Sequence, residues 1–413
     1  MTSHRIFRIA ANTLTCVGLM APVAAYAQDP SPPPMAPPLS TDPPPTRLDI
    51  YGFAMLDAIY DVNASHPDWQ STLRASKIPV VCPGDPGCGE DGTTTLSVRQ
   101  SRFGVKGYMP TPVGDMSTIF EFEMFGTGDD AGETTIRLRH AWGEIGEFGA
   151  GQTWSLLMDP DVFPDTVDYW GPVGMAFYRN AQMRWTPVNT DTSKFAVAIE
   201  HPGAAIDSGK LPELDPAFGA VSAWNQFPDV TAQFRYGGDW GHLQLSGIGR
   251  YLGVQAEGVD PEQVLGWGGV IASVINISRD QLLLQVVYGE GIANYMNDGG
   301  VDLAPADDQP GAGPDAVPTF GWLAYYNRTW NDQFTSSVGF SEHRQTTTDG
   351  QLDNAMDLIQ IGNVNLLYKP IPEFLVGPEF VWGRRENKNG DDGTDIRIQV
   401  SAKYKFGATV AKD

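Results

Sequence analysis

Apolar and polar side chains alternate with a period of two residues along most of this chain, and this pattern constrains the fold more than any other feature. It is clearest from Asp395 to Phe406, where every second residue is apolar and the residues between them are polar or charged. Successive side chains of a β-strand point to opposite faces. The segment therefore predicts a strand with one apolar and one polar face, and the segments 118–124, 230–236 and 243–251 repeat the pattern.

Sixteen segments of this kind follow one another, separated by Gly, Pro, Asn and Asp. Their bounds are 48–60, 95–108, 115–125, 134–145, 147–154, 176–186, 194–201, 229–236, 241–253, 264–278, 281–290, 319–330, 333–344, 355–368, 372–384 and 395–406. Short turns alternate with long acidic loops at 61–94, 202–228, 291–318 and 345–354. An even strand number with short turns on one rim and long loops on the other is typical of outer-membrane barrels. We therefore predict an all-β fold, a 16-stranded antiparallel transmembrane β-barrel.

The composition is compatible with a membrane only through such a barrel. Beyond its N-terminus the chain has no run of 18 apolar residues, although 41% of its residues are hydrophobic. A transmembrane helix needs about 20 consecutive apolar residues, so a closed barrel is the remaining way to span a bilayer. The alternative interpretation is a secreted β-sandwich or propeller that packs the apolar face on a core and binds carbohydrate through exposed tryptophans.

The N-terminal 27 residues have the features of a secretory signal peptide. Arg5 and Arg8 precede an apolar run at 10–25, and Ala-Tyr-Ala at 25–27 offers small residues for cleavage. Residues 28–47 follow as a proline-rich linker, which we expect to be semi-extended in the periplasm. The protein would accordingly be exported to the Gram-negative outer membrane.

The chain is strongly acidic, with a formal charge of −23. Removal of Arg5 and Arg8 with the signal peptide leaves 25 basic and 50 acidic residues, which gives 25 − 50 = −25. A surface of this charge is unsuited to nucleic acid.

Cys82 and Cys88 are the only cysteines beyond the signal peptide, and they stand close together in a Pro/Gly-rich loop. In an oxidising compartment this arrangement predicts a local disulfide. Metal binding is the alternative, but no histidine or further cysteine lies nearby in the sequence.

The stretch 151–187 departs from the strand pattern. Three prolines, Pro160, Pro164 and Pro172, exclude a regular ladder or a long helix. The stretch also carries four acidic residues among aromatic ones, namely Asp159, Asp161, Asp165 and Asp168. We predict that it is a constriction loop folded into the water-filled interior of the barrel.

A basic cluster lies on the predicted strands beside this loop, and it comprises Arg102, Arg137, Arg139, Arg179 and Arg184. The alternation with Phe103 and with Leu138 places the neighbouring arginines on the inner face. Arginines opposite the loop aspartates would create a transverse field that selects small anions. The alternative is that these arginines pair with Glu121 and Glu123 only to hold the loop.

The motifs "GQTWS", "FPDTVDYWGP" and "FYRNAQMRWTP" resemble the constriction-loop region of the DcaP-like family of outer-membrane porins. The resemblance implies a homotrimer beside lipopolysaccharide, passive diffusion of dicarboxylates and no cofactor. General porins are similar at the corresponding strands, which supports Arg102, Arg179 and one of Arg137 and Arg139. Members of the family often carry a helical coiled-coil segment in place of 28–47, and this chain has no heptads there.

The barrel domain is predicted to span 48–406, with a tail at 407–413. Strands of this family usually finish on an aromatic residue, which fits Phe406, and Gly407 follows it directly. We predict that strand pairing stops at Phe406 and that the tail hangs in the periplasm.

Enzymatic signatures are lacking: the chain contains no GxSxG, HExxH, CxxC or post-strand GxGxxG motif. His140 lies on a strand, and a lone histidine of this kind is more typical of packing than of catalysis. The acidic run 389–395 lacks the full spacing of a calcium loop. We therefore expect no metal, no cofactor and no covalent step.

Overall fold

The computed structural model describes residues 46–412 except 83, 85, 86, 215, 220, 257 and 310. The predicted signal peptide at 1–27 and the linker up to residue 45 lie outside the described residues. Within the described ranges no helix combines the length and the apolar composition needed to cross a bilayer.

Sixteen antiparallel strands form a closed barrel, as the alternation predicted. The strands are β1 (Thr46–Asp61), β2 (Thr93–Ser97 and Arg102–Met109), β3 (Met116–Glu123), β4 (Arg137–Ile145), β5 (Phe148–Trp154), β6 (Arg179–Asn189), β7 (Ser193–Glu200), β8 (Asp229–Gly238), β9 (Gly241–Ala256), β10 (Glu262–Ile277), β11 (Asp280–Glu290), β12 (Pro318–Thr329), β13 (Phe334–Gln345), β14 (Met356–Asn365 and Leu367–Ile371), β15 (Phe374–Asn387) and β16 (Asp392–Lys412). Each strand pairs with the next, and Phe53 of β1 pairs with both Arg102 of β2 and Lys405 of β16. This last pairing closes the barrel and leaves no sheet edge unpaired.

The remaining regular elements are short and lie in the loops. They are one helical turn, α1 (Leu211–Leu214), six 3-10 turns (Pro67–Trp69, Ala75–Lys77, Gly128–Asp130, Pro160–Val162, Pro216–Gly219 and Ala293–Tyr295) and three short strands (Val221–Ala223, Leu303–Pro305 and Pro314–Ala316).

The two faces of the wall have opposite chemistry. On β16 the apolar row, represented by Ile398 and Tyr404, is about half exposed on the outside. The polar row of the same strand points inward, and Arg397 and Gln399 are fully buried there. An apolar exterior around a polar interior is the arrangement of a transmembrane barrel, so the alternative of a soluble sandwich or propeller is wrong.

The end of the last strand differs from the prediction. β16 continues to Lys412, and the pairs Gly407↔Tyr51 through Lys412↔Thr46 extend its ladder with β1. The prediction that pairing stops at Phe406 was therefore wrong, as was the free tail at 407–413. The physical reason is that β1 extends back to Thr46, so that its residues 46–51 supply partners for residues 407–412 of β16.

Two bulges alter the alternation on the inner wall. In β2 the four residues 98–101 stand opposite three residues of β1, between the pairs Asp57↔Ser97 and Phe53↔Arg102. In β4 the pairs Glu121↔His140 and Phe122↔Leu138 leave Arg139 as an extra residue. A bulge of this kind re-aims side chains relative to the regular pleat.

Short turns lie at one rim, and longer connections at the other form loops L1 (62–92), L2 (124–136), L3 (155–178), L4 (201–228), L5 (257–261), L6 (291–317), L7 (346–355) and L8 (388–391). The predicted disulfide between Cys82 and Cys88 is present in L1. L1 is nevertheless more than an external loop, because Leu73, Ala75 and Ile78 are buried inside the barrel against β14 and β15. L1 therefore joins L3 as a second infolded segment.

Candidate functional site

L3 crosses the barrel interior, as predicted, and its first half is tied to the wall at β8 and β9. The Asp159 carboxylate lies 2.6 Å from His242 Nε2 and 3.5 Å from Arg235. The neighbouring Asp161 carboxylate forms an ion pair with the same Arg235. Gln244 adds a hydrogen bond of 3.0 Å from its amide to the Met158 carbonyl. Charges on both sides therefore fix this part of the loop.

The second half of L3 is tied to β15, β16 and L1. The backbone N–H groups of Val167 and Asp168 donate to the buried Glu379 carboxylate at 2.9 and 3.0 Å. The Asp168 carboxylate accepts hydrogen bonds from Thr72 Oγ1 at 2.8 Å and from Arg397 at 3.2 Å. These bonds connect L3 to both the wall and the infolded part of L1.

The four loop aspartates therefore form no ion pair with the predicted arginine cluster, although Asp168 lines the same cavity as four of its arginines. Asp159 and Asp161 pair with Arg235, Asp165 lies 3.5 Å from Lys369, and Asp168 pairs with Arg397. Each carboxylate is used to attach L3 to the far wall. The predicted field between loop acids and wall arginines was wrong in this respect, because sequence proximity to the arginines did not determine the partners of the aspartates.

Apolar packing fills the interior between L3 and strands β9 to β12. The buried cluster contains L3 residues such as Leu157 and Met175 and inward residues of the wall such as Val270, Leu283 and Leu323. This part of the lumen resembles the core of a soluble domain.

The principal cavity, of about 890 Å³, lies on the other side of L3. Its walls come from β1 to β6 and β16, and L1, L3 and L6 contribute Arg74, Tyr169 and Asn297. Four of the five predicted arginines line it, namely Arg102, Arg137, Arg139 and Arg179.

Two glutamates of β3 hold part of this cluster in place. Arg139 binds Glu121 at 2.6 Å and Glu123 at 2.8 Å. Arg102 also lies 3.2 Å from Glu123, so two guanidinium groups share a pair of buried carboxylates. The alternative that these arginines pair with Glu121 and Glu123 thus describes Arg102 and Arg139 correctly.

Arg137 and Arg179 are less compensated. Arg137 lies 3.9 Å from Glu123 and 3.2 Å from the Tyr169 hydroxyl. Burial raises the pKa of Tyr169, so this phenol stays neutral and its hydroxyl donates a hydrogen bond to the Glu123 carboxylate. Arg179 forms no ion pair with a carboxylate in the described ranges, and its Nη1 is buried without a hydrogen-bond partner. Its guanidinium carbon lies 4.7 Å from the Trp154 ring centroid, a cation–π geometry.

Arg184 lies apart from this group. Its Nη2 donates to the Trp154 carbonyl at 2.6 Å, and its guanidinium lies over Trp142. It lines three other cavities, of about 260, 630 and 840 Å³. The structure thus brings four predicted arginines together and separates the fifth.

Sequence reasoning missed several cavity residues. The bulge in β4 turns His140 inward directly after Arg139, and its Nδ1 lies 3.0 Å from Thr153 Oγ1. Strict alternation would have placed His140 outside, and no local signal marks the bulge. Arg74 of L1 was also missed, although Trp69 and Leu73 are unusual residues for an exposed acidic loop.

Arg74 lies at the loop end of the cavity between two indoles. Its guanidinium carbon is 4.5 Å from the Trp69 ring centroid and 4.6 Å from that of Trp170. Its Nε binds Asp298 of L6 at 2.6 Å. One cation therefore links L1, L3 and L6.

One group of potential metal ligands occurs among the described residues, formed by Asp159, Asp161 and His242 within 4.8 Å of one another. The Arg235 guanidinium already lies between both carboxylates and forms an ion pair with each. These residues therefore form an ion-pair cluster that anchors L3, and the arrangement does not favour a second cation there.

A family model of the DcaP outer membrane protein matches residues 34–406. Among solved structures, the crystal structure of the outer membrane channel DcaP of Acinetobacter baumannii is 19% identical over 87% of this chain and 97% of that chain, with a TM-score of 0.75. An anion-selective porin from Comamonas acidovorans is 11% identical over 87% and 99% of the two chains, with a TM-score of 0.55. OmpT of Vibrio cholerae is 12% identical over 88% and 99%, with a TM-score of 0.51.

Comparison with curated protein sequences finds no match. The structural likenesses establish the fold, and the family model covers most of the chain, including the strands, L3 and the arginine cluster. This chain belongs to the DcaP outer membrane protein family, a family of outer-membrane channels.

Proposed function

We propose that this barrel is an anion-selective channel through which small carboxylates, including dicarboxylates, cross the outer membrane by passive diffusion. The observation that carries the proposal is the composition of the principal cavity wall, where eight arginines and lysines, including Arg137 and Arg179, outnumber five carboxylates, namely Asp49, Glu121, Asp168, Asp298 and Glu373. The local charge therefore has the opposite sign to the charge of the whole chain.

The overall charge of −23 does not determine selectivity, because distance and salt limit the influence of surface acids. Screening reduces exposed charges over about 8 Å at physiological ionic strength. Asp159 and Asp161 share Arg235 and do not line the principal cavity, and Asp168 pairs with Arg397. The uncompensated charge that a solute meets in the cavity is accordingly positive.

Arg179 is the best candidate for a direct contact with the solute. Its buried Nη1 has no protein acceptor, and an unsatisfied buried donor is costly until a partner supplies one. A carboxylate is the acceptor that suits a planar guanidinium best. The anion-selective porin from Comamonas acidovorans gives a precedent on the same fold.

Passive diffusion needs no cofactor and no covalent step, and the proposal includes none. We further propose that the protein forms a homotrimer surrounded by lipopolysaccharide. A trimer form has been described for OmpT of Vibrio cholerae, which has the same fold. The apolar exterior supplies the surface that lipids and neighbouring copies would contact.

The test is the reversal potential of single channels in planar bilayers under a KCl gradient. The wild type is expected to prefer chloride, and the combined changes Arg102→Gln and Arg179→Gln are expected to reduce that preference. We expect both changes to leave the fold intact, because Arg139 still binds Glu121 and Glu123, Arg137 remains 3.9 Å from Glu123, and Arg179 pairs with neither.

Arg279→Gln is the matched control, since it removes a cation from an exposed turn outside the cavity. A cation-selective wild type, or a double variant with an unchanged reversal potential, would show that the arginines do not set selectivity.

A further inference from the structure

Two aromatic side chains of β1 form cation–π contacts at the end of the cavity away from the long loops. Tyr51 and Phe53 both line the principal cavity. Lys106 Nζ lies 5.1 Å from the Tyr51 ring centroid, and Lys403 Nζ lies 4.6 Å from that of Phe53. The Arg102 guanidinium is 5.3 Å from the Phe53 ring, so two cations from neighbouring strands approach one ring.

Lys403 is the least compensated of these cations. It is only 2% exposed, and it forms no ion pair with a carboxylate that the structure describes. The inward carboxylate of Asp57 is occupied by other donors, since Ser401 donates at 2.6 Å and Gln100 at 2.9 Å. Nearby Arg102 adds a second positive charge, and its Nε is buried without a hydrogen-bond partner.

The position of these groups along the strands defines their place on the route through the barrel. On β16, Arg397 and Gln399 attach to L3 through Asp168 and the Val167 carbonyl. Lys403 follows further along the same inner row, toward the short-turn rim. Lys106 likewise follows Arg102 on β2 in that direction, so both lysines lie beyond the arginine cluster.

A buried ammonium group is stable when a counter-charge or several hydrogen bonds replace its water. A cation–π contact supplies only part of this stabilisation, about 0.5–2 kcal/mol. Two carboxylates line the same end of the cavity. Asp49 is paired with Arg47 at 3.0 Å and accepts from Thr409, whereas Glu373 lies in the turn after β14. The space in front of Lys403 is therefore suited to a small anion.

We propose that Lys403 and Lys106 form a second anion subsite on the periplasmic side of L3, beyond the arginine cluster, specific for the carboxylate of a permeating solute. The inference rests on the proposed function, since it assigns a further station to the same anions. A carboxylate released by the arginine cluster is received there before it leaves through the short-turn rim. Two stations in series allow an anion to be attracted strongly and still leave quickly, because each site need hold it only briefly.

The experiment compares succinate block of chloride current in wild-type protein and in Lys403→Gln, with succinate added to one side of the bilayer at a time. A unit charge about 5 Å away in water changes a residence time by a factor of about four. With succinate on the periplasmic side, we expect the mean duration of each block to shorten about fourfold in Lys403→Gln and to return to the wild-type duration in Lys403→Arg. Arg279→Gln should leave the block unchanged.

The result separates this inference from the proposed function. If the double change at Arg102 and Arg179 reduces anion preference and Lys403→Gln leaves periplasmic block unchanged, the second subsite is refuted while the channel assignment stands. If the wild type is cation-selective, both are refuted. Should Lys403→Gln fail to assemble as a heat-modifiable barrel, Lys106→Gln provides the same comparison in the same subsite.

Discussion

Glu379 of β15 is a wall carboxylate that holds L3 through two of its backbone N–H groups, and its removal is expected to release the loop. It is 1% exposed and accepts hydrogen bonds from the backbone N–H groups of Val167 and Asp168 at 2.9 and 3.0 Å. Glu379→Leu removes both acceptors and leaves two buried donors unsatisfied. Each such donor costs about 1–3 kcal/mol, so the loop is destabilised by about 2–6 kcal/mol. At about 1.4 kcal/mol per tenfold, even the lower value raises the population with L3 displaced about thirtyfold.

Hydrogen exchange measured by mass spectrometry on the detergent-solubilised barrel detects this displacement. The informative amides are those of Ala176 and Phe177, which bond to Gln285 and to the Tyr295 carbonyl at the other end of L3. Their exchange should accelerate about thirtyfold or more if L3 opens as one unit. Glu379→Gln is the matched control, because its remaining carbonyl oxygen preserves one acceptor and should give an intermediate rate. Wild-type exchange rates throughout L3 in Glu379→Leu would refute the assignment of Glu379 as its anchor.

Two further predictions concern the wall. Arg397→Gln should lower the free energy of unfolding by about 3–5 kcal/mol, because it leaves the buried Asp61 unpaired. The control Arg344→Gln breaks an exposed pair with Asp357 and should lower it by less than about 1 kcal/mol. Urea titration of tryptophan fluorescence measures both values, and equal losses would contradict the argument. Deletion of 407–413 should reduce the amount of heat-modifiable barrel in outer membranes, because residues 46–51 lose their partners on β16; undiminished assembly would show that this part of the ladder is dispensable.

The strands could be predicted from the sequence because their signal is local. A residue such as Ile398 faces lipid and its neighbour Arg397 faces the lumen, so the period of two is imposed along each strand separately. The same argument would have extended β16 correctly, since Ala408 and Val410 continue the apolar row. The prediction failed there because an aromatic residue was taken to mark the end of pairing.

The partners of L3 could not be predicted, because they come from distant parts of the chain. Asp168 bonds to Arg397, 229 residues away, and Asp159 bonds to His242, 83 residues away. Composition indicated that acids in L3 would meet cations, but several arginines were available. Only the closed barrel determines which of them each carboxylate reaches.

The bulge at Arg139 is a second feature that could not be predicted from the sequence. Its position depends on how β3 and β4 pair, and the sequence around "RLRHAW" is compatible with a regular strand. Because the bulge adds one residue, Arg139 and His140 both reach the cavity. A single unpaired residue thus changed the chemistry of the cavity without leaving a recognisable motif.

The apolar cluster between L3 and strands β9 to β12 makes one part of the wall a packed core, whereas another part borders the principal cavity. These two parts of the wall can evolve at different rates. Positions such as Val270 and Leu323 are buried in close packing, so most changes there would lower stability. Positions such as Lys403 and Arg137 border open space, so exchanging them would alter which solutes pass while disturbing little of the packing. The solute preference of the proposed channel can therefore diversify on one side while the opposite side preserves its folding.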